Sequence, residues 1–301
     1  MKNDFLKFSI SIISFFILLL LCDRSLAWFE AKLYSSKDTK INYSLRCTDV
    51  ADIVILGSSR ANHHYVPQIL TDSLHLSCVN LGEDGRGILY NYPQAHILLS
   101  KPNIPKIIIY EFFRHDWAVG VGDNILPLPL IYGKNDAVDE IIAKISPNIA
   151  NCINIFQSYK YNSNIHKTLL SSKETSSSNQ GWNPLYGNKK DGNEVKTLDD
   201  REQIDKYKVE VFRRFVSECK EKGIILIAVS SPIYGICSDV ETTLVEKLFI
   251  KEGIPYWNYQ EETYDTNLFL DNGHMNDKGA LWFSSLFASK LKKYLKDQYE
   301  L

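Results

Sequence analysis

The chain has 301 residues, 34 basic against 36 acidic side chains and a formal net charge of -2, with the basic residues spread rather than gathered in one stripe. That balance lacks the electrostatic footprint of a nucleic-acid-binding protein. The length suits one large domain, or a domain with an insertion, around a full hydrophobic core.

The N-terminus departs from the rest. Lys2 and Lys7 precede an uncharged apolar run from Phe8 to Cys22. A helix of that length spans about 22 Å, against about 30 Å of hydrocarbon in a bilayer. Snorkelling by Lys7 lets Phe5 and Leu6 join the span, and Asp23-Arg24 end it. Two readings stay open for residues 1–28. One is a signal anchor with the N-terminus inside and the body outside, as the positive-inside rule orients it. The other is a signal peptide cut after Ser25-Leu26-Ala27. The anchor is preferred, because Asp23-Arg24 interrupt the approach to the cut. The body is then extracytoplasmic and membrane-anchored, or secreted or periplasmic if the N-terminus is cleaved.

Six cysteines show no CxxC and no metal-ligand spacing. Most read as small buried hydrophobes. Export permits a disulfide, and Cys47 and Cys78, each preceding one of two neighbouring strands, are the candidate pair.

Residues 29–50 read as a linker with one helical turn. From Ala51 strands and helices alternate. The predicted elements are a strand over 52–56, a helix over 66–74, a strand over 78–81, a helix over 88–99 and a strand over 106–111. Residues 118–200 interrupt the pattern with apolar helical stretches (138–145, 149–159), a serine-rich run (171–179) and Gly181-Trp182-Asn183-Pro184-Leu185. This segment reads as an insertion of the kind that serves as a lid or binding loop. The alternation returns with a helix over 199–222, a strand over 224–229, a helix over 240–252, a strand over 255–258 and a last helix over 277–296. Strands alternating with helices of these lengths argue a parallel sheet covered on both faces. The domain then runs from 51 to 301 with its insertion at about 118–200.

The chemistry lies at two places. Ile53-Val54-Ile55-Leu56 ends in Gly57-Ser58-Ser59-Arg60, which puts hydroxyls and a guanidinium at the carboxyl edge of the first strand, where open α/β sheets bind ligands. A serine hydroxyl needs a base to become a nucleophile. The second place, Asp271-Asn272-Gly273-His274, offers an imidazole and a carboxylate to orient it, three residues apart around a glycine turn.

Together these segments resemble the SGNH, or GDSL-type, hydrolase superfamily, over about residues 51–295 with 118–200 outside. In that family the first strand ends in Gly-Asp-Ser, so Ser59 falls on the nucleophile and Ser58 replaces the aspartate. The family's last block, Asp-x-x-His, is matched by Asp271 and His274. Its second block is an asparagine followed by a glycine whose amide serves the oxyanion hole. Asn80-Leu81-Gly82-Glu83-Asp84-Gly85 fits, with Gly85 the better match and Gly82 second. The third block, Gly-x-Asn, is replaced by Glu111-Phe112-Phe113-Arg114-His115-Asp116. Arg114 or His115 would have to donate there, or the hole has only the amides of Ser59 and Gly85.

The resemblance implies a three-layer α/β/α fold, flavodoxin-like, with a five-strand parallel sheet in the order 2-1-3-4-5. It implies a serine esterase acting on acyl esters, O-acetyl or similar, and export suggests a cell-surface glycan as the carrier. Two alternatives stay open: an O-acyltransferase of the same fold, which would need a membrane partner to deliver the acyl group, and a non-catalytic glycan-binding or assembly protein. Arg60 either pairs with Asp84 or Asp116 or holds a substrate group. His63 and His64 read as capping or surface residues and as fallback bases. A metal site from His63, His64 and Asp271 lacks an i, i+4 histidine pair, so no metal and no cofactor is expected. Gly82, Gly85 and Gly87 stand in the wrong order for a dinucleotide loop. Phe112, Phe113, Trp117 and Trp182 either pack or line a sugar cleft.

Overall fold

The computed structural model describes residues 2–121, 123–161, 179–189, 203–234, 244–260 and 263–299. In chain order the described helices are α1 (Lys2–Ser35), α2 (Lys40–Arg46), α3 (Ser59–His64), α4 (Pro67–Leu74), α5 (Ile88–Leu99), α6 (Asp136–Ile145), α7 (Pro147–Ile155), α8 (Lys206–Glu221), α9 (Leu244–Glu252) and α10 (Asp277–Tyr299). The strands are β1 (Ile53–Leu56), β2 (Cys78–Asn80), β3 (Ile107–Glu111), β4 (Ile225–Ser230) and β5 (Tyr256–Asn258). They form one parallel sheet in the order β2-β1-β3-β4-β5, the order the family resemblance implied. Ile53 lies opposite both Cys78 and Ile107, Ile107 opposite Ile225, and Ala228 opposite Tyr256.

The central strands β1, β3 and β4 are largely apolar on both faces because both faces are covered. Side chains alternate along a strand, so Ile53, Ile55, Ile107, Ile109, Ile227 and Val229 share one core with Leu70 of α4 and Phe283, Phe287 and Leu291 of α10. Those three α10 residues recur every fourth position, the spacing of one helical stripe. Each contributes about 1.5–3 kcal/mol by burial. On the other face Tyr110 meets Phe212 and Phe215 of α8, with ring centroids 5.6 and 6.2 Å apart.

The chain divides into two compact units, Met1–Lys37 with Ile125–Glu174, and Asp38–Asn124 with Thr175–Leu301. The second holds the sheet. In the first, the Asp23 carboxylate on α1 accepts hydrogen bonds from the backbone of Gln157 and Ser158 and from the Ser158 hydroxyl, at 2.8, 3.0 and 2.7 Å.

Four expectations change. Residues 29–50 are largely helical: α1 runs on to Ser35, and Thr39 caps α2 by accepting from Asn42 N at 3.2 Å while Ile41 buries. A short helix, α3, starts directly at Ser59. The Gly181–Leu185 stretch, expected within the insertion, belongs to the sheet unit: Gln180 O accepts from Asn80 N at 2.8 Å and Leu185 O from Asp277 N at 2.7 Å. Cys47 and Cys78 are free thiols, because Cys47 Sγ turns back to Ser44 O at 3.7 Å while Cys78 is buried in β2. Most of the serine-rich run, and Cys237, lie outside the described residues.

Candidate functional site

The site forms where β1 stops. Gly57 has a φ of +146°, and a Cβ there would sit 2.8 Å from Glu111 Cβ and 2.9 Å from Ala61 Cβ. Only glycine lets the chain turn this tightly from strand into α3. Ser58 is the N-cap residue and Ser59 the first helical residue, so the Ser59 N–H has no acceptor within its helix. The second block packs directly on this helix. A Cβ on Gly82 would come within 2.4 Å of Ala61 Cβ. The buried Asn80 amide donates to Ala61 O at 2.6 Å and Tyr65 O at 3.1 Å, and its oxygen accepts from Gly82 N at 3.0 Å. Asn80 thereby ties the end of α3 to the turn that carries Gly85.

Ser59 Oγ and His274 Nε2 are 2.7 Å apart. His274 Nδ1 faces both Asp271 carboxylate oxygens at 3.0 Å. A carboxylate only accepts, so Nδ1 carries the proton and Nε2 is left to accept from the Ser59 hydroxyl. Asp271 is itself fixed, with Oδ1 accepting from Gly273 N at 2.8 Å and His274 N at 2.9 Å. Burial pushes its carboxyl up, but the His274 ring and these two amides outweigh burial and hold it below the ordinary carboxylate value. The His274 and Asp271 side chains are 31% and 46% exposed, so the constellation is open to a substrate.

Beneath it lies a buried polar network that sequence reasoning missed. Met275 N donates to His64 Nε2 at 3.0 Å, so His64 Nδ1 carries the proton and donates to Ser231 Oγ at 2.7 Å. Ser231 Oγ donates to Glu111 Oε1 at 2.8 Å, and Ser231 N approaches the same carboxylate at 3.1 Å. Tyr65 donates its hydroxyl to Glu111 as well. Burial holds His64 well below the usual histidine range, with Arg60 adding to the effect. Burial also raises Glu111, against the pull of Arg60, Tyr65 and Ser231. The one signal in the sequence was a glutamate closing an otherwise apolar strand, since a buried carboxylate demands partners.

Arg60 is buried and pairs with Glu111, Nη2 to Oε1 at 3.1 Å, rather than with Asp84 or Asp116. It also donates to Phe112 O at 2.5 Å and stacks over the Phe113 ring at 4.2 Å. The reason is reach: Arg60 points down from α3 onto the end of β3, while Asp84 faces the neighbouring residues. Asp84 Oδ1 accepts from Asn62 Nδ2 at 2.7 Å and meets His63 Nε2 at 3.1 Å. Burial raises the Asp84 carboxyl, but His63 and Asn62 outweigh it and bring it down to about 2. Asp116 interacts with the Ser58 side chain, and burial raises its carboxyl.

His63 and His64 are therefore buried, not surface caps. His63 Nδ1 donates to Asn183 O at 2.7 Å, and Trp182 Nε1 donates to His63 O at 2.9 Å. These bonds hold the 181–185 stretch against α3. The His63 and His274 rings stand edge-on, with centroids 5.9 Å apart. Phe112 and Trp117 are core residues, and Phe113 and Trp182 are partly exposed. Gly85 lies in the turn after β2 with open space around it, and Arg114 begins a 3-10 turn (Arg114–Trp117) after β3. Among the described residues no group of three His, Cys, Asp or Glu side chains is placed to hold a metal.

The sequence matches no protein-family model and no curated protein. A solved structure similar to this chain is an active-site mutant of a family two carbohydrate esterase from Clostridium thermocellum. The TM-score is 0.37 at 10% identity, over 82% of this chain and 63% of that one. The chain thus spans less than two thirds of that protein's length, and the side chains themselves carry the chemistry described above.

Proposed function

We propose that the chain is a serine-dependent esterase that removes acyl groups, chiefly O-acetyl, from a cell-surface glycan. The observation that carries this reading is the Ser59–His274–Asp271 chain, with its hydrogen bond of 2.7 Å at the nucleophile. His274 Nε2 takes the Ser59 proton as Oγ attacks the ester carbonyl. The oxyanion that forms is met by the N–H groups of Ser59 and Gly85, with Arg114 on the third-block turn as the side-chain donor. Collapse expels the glycan hydroxyl, which takes its proton from His274. Water, deprotonated by the same ring, then releases the acyl group from Ser59. Asp271 keeps the imidazole in the tautomer that both halves need and steadies its cationic form. The N-terminal helix, long and apolar enough to span a membrane, supports placing this chemistry outside the cytoplasmic membrane.

The test is acetate release from O-acetylated polysaccharide and from p-nitrophenyl acetate. The parent protein releases acetate, and Ser59→Ala and His274→Ala each lower kcat by at least about 10³-fold. Equal rates in parent and variants contradict the assignment.

A further inference from the structure

The height at which Asp23 holds its partner segment has a consequence for the first unit. The apolar run of α1 ends at Cys22, and Asp23 is the next residue. Its carboxylate grips Gln157 and Ser158, and Arg24 Nη1 donates to Ile155 O at 3.3 Å. The 3-10 turn Gln157–Tyr161 then runs along α1, with Tyr161 in the field of Glu30. Asp23 and Glu30 are about 10 Å apart along a helix axis at 1.5 Å per residue. The Ile155–Phe156 end of the segment is thereby fixed at the last turn of the apolar run, and Tyr161 lies further out.

That end is apolar and uncovered. Ile155 is 58%, Phe156 38% and Tyr159 37% exposed, although each is large enough to be worth burying. On α1, within about 9 Å beyond Asp23 along the axis, Leu26, Trp28 and Phe29 are also exposed, and Lys32 lies over the Trp28 ring at 5.5 Å. Aromatic side chains with a flanking cation are the composition of the zone where hydrocarbon meets headgroups. A bilayer that takes residues 5–22 brings this zone to Asp23 and covers the patch without any further partner.

We propose that residues 155–159 form a membrane-interface element: Ile155 and Phe156 enter the headgroup–acyl boundary of the bilayer that α1 spans, Tyr159 and Trp28 sit among the headgroups, and Asp23 sets the depth. The element makes the anchor a two-point attachment, helix plus interfacial wedge. The inference goes beyond the esterase reading and rests on α1 spanning the bilayer.

The experiment uses the full chain in phosphatidylcholine liposomes, with p-benzoylphenylalanine placed at position 156 or at position 16 and lipid adducts read by mass spectrometry after irradiation. Adducts at both positions are the expected result. Adducts at 16 with none at 156 overturn the interface element alone. None at either position overturns the spanning helix, and the element with it. In the chain labelled at 156, Asp23→Ala lowers the adduct yield at least about threefold while the yield at 16 is unchanged. An unchanged yield at 156 overturns the role given to Asp23.

Discussion

His64 shows how far a single protonation state reaches. Its ring accepts from Met275 N and donates to Ser231, so the loop carrying His274 is docked onto the nucleophile's helix through a neutral imidazole. An added proton would put Nε2–H against Met275 N–H. Burial already holds His64 well below its ordinary value of 6.5. The unfolded chain takes up this proton near pH 6.5 and the folded chain does not. Stability from this residue is therefore fully present above that pH and falls as pH drops, by about 1.4 kcal/mol per unit until the folded group titrates. Denaturant unfolding at pH 7.5, 6.5 and 5.5 checks it: the parent loses stability on this slope below pH 6.5, and His64→Gln, although less stable at pH 7.5, has a shallower slope. The same slope in both proteins contradicts the assignment.

The elements meet at buried charge as well as at apolar faces. Arg60 leaves α3 and Glu111 closes β3, and their contact ties the turn after β1 to its neighbouring strand. The two partners are not equivalent. Glutamate can take a proton when its counter-charge is removed, and its carboxyl is already raised; arginine cannot give one up. Glu111→Leu thus leaves an uncompensated buried cation and costs about 3–5 kcal/mol. Arg60→Met costs less by at least about 1 kcal/mol, because Glu111 neutralises itself. Urea unfolding of the two variants at pH 7 gives the order, and the reverse order contradicts the account. This network also marks the limit of what the sequence discloses. Strand and helix alternation was enough to expect a covered parallel sheet, the family resemblance implied its order, and Gly57-Ser58-Ser59 with Asp271-x-x-His274 was enough to pair residues 215 positions apart. The Arg60–Glu111 pair was missed because partner choice depends on which way α3 faces, and that is decided by the close approach of Gly82 to Ala61. His63 and His64 read as surface residues because a two-histidine run carries no burial signal. The Trp182–Asn183 contact with His63 was hidden because it joins residues separated by an irregular segment. Helix α2 was lost to a linker reading because its seven residues, Lys40–Arg46, are too few to show a period.

At the scale of the molecule, the order β2-β1-β3-β4-β5 places β1 beside β3 although the chain visits β2 between them. The direction in which successive strands are added reverses there, and the carboxyl ends of the two parallel strands open a crevice. Ser59 at the start of α3, Glu111 at the end of β3, Ser231 just after β4 and the His274 loop before α10 converge on that edge. Ser59 and His274 stay reachable from solvent while the network that orients them is buried, the division a preorganised site requires. The most direct test of this account is labelling of the full chain in detergent with a serine-directed fluorophosphonate, with the adduct located by peptide mass spectrometry. The expected result is one adduct on Ser59, lost in Ser59→Ala and reduced to background in His274→Ala. A folded protein that takes no label, or an adduct on Ser58 or another serine that survives Ser59→Ala, would contradict it.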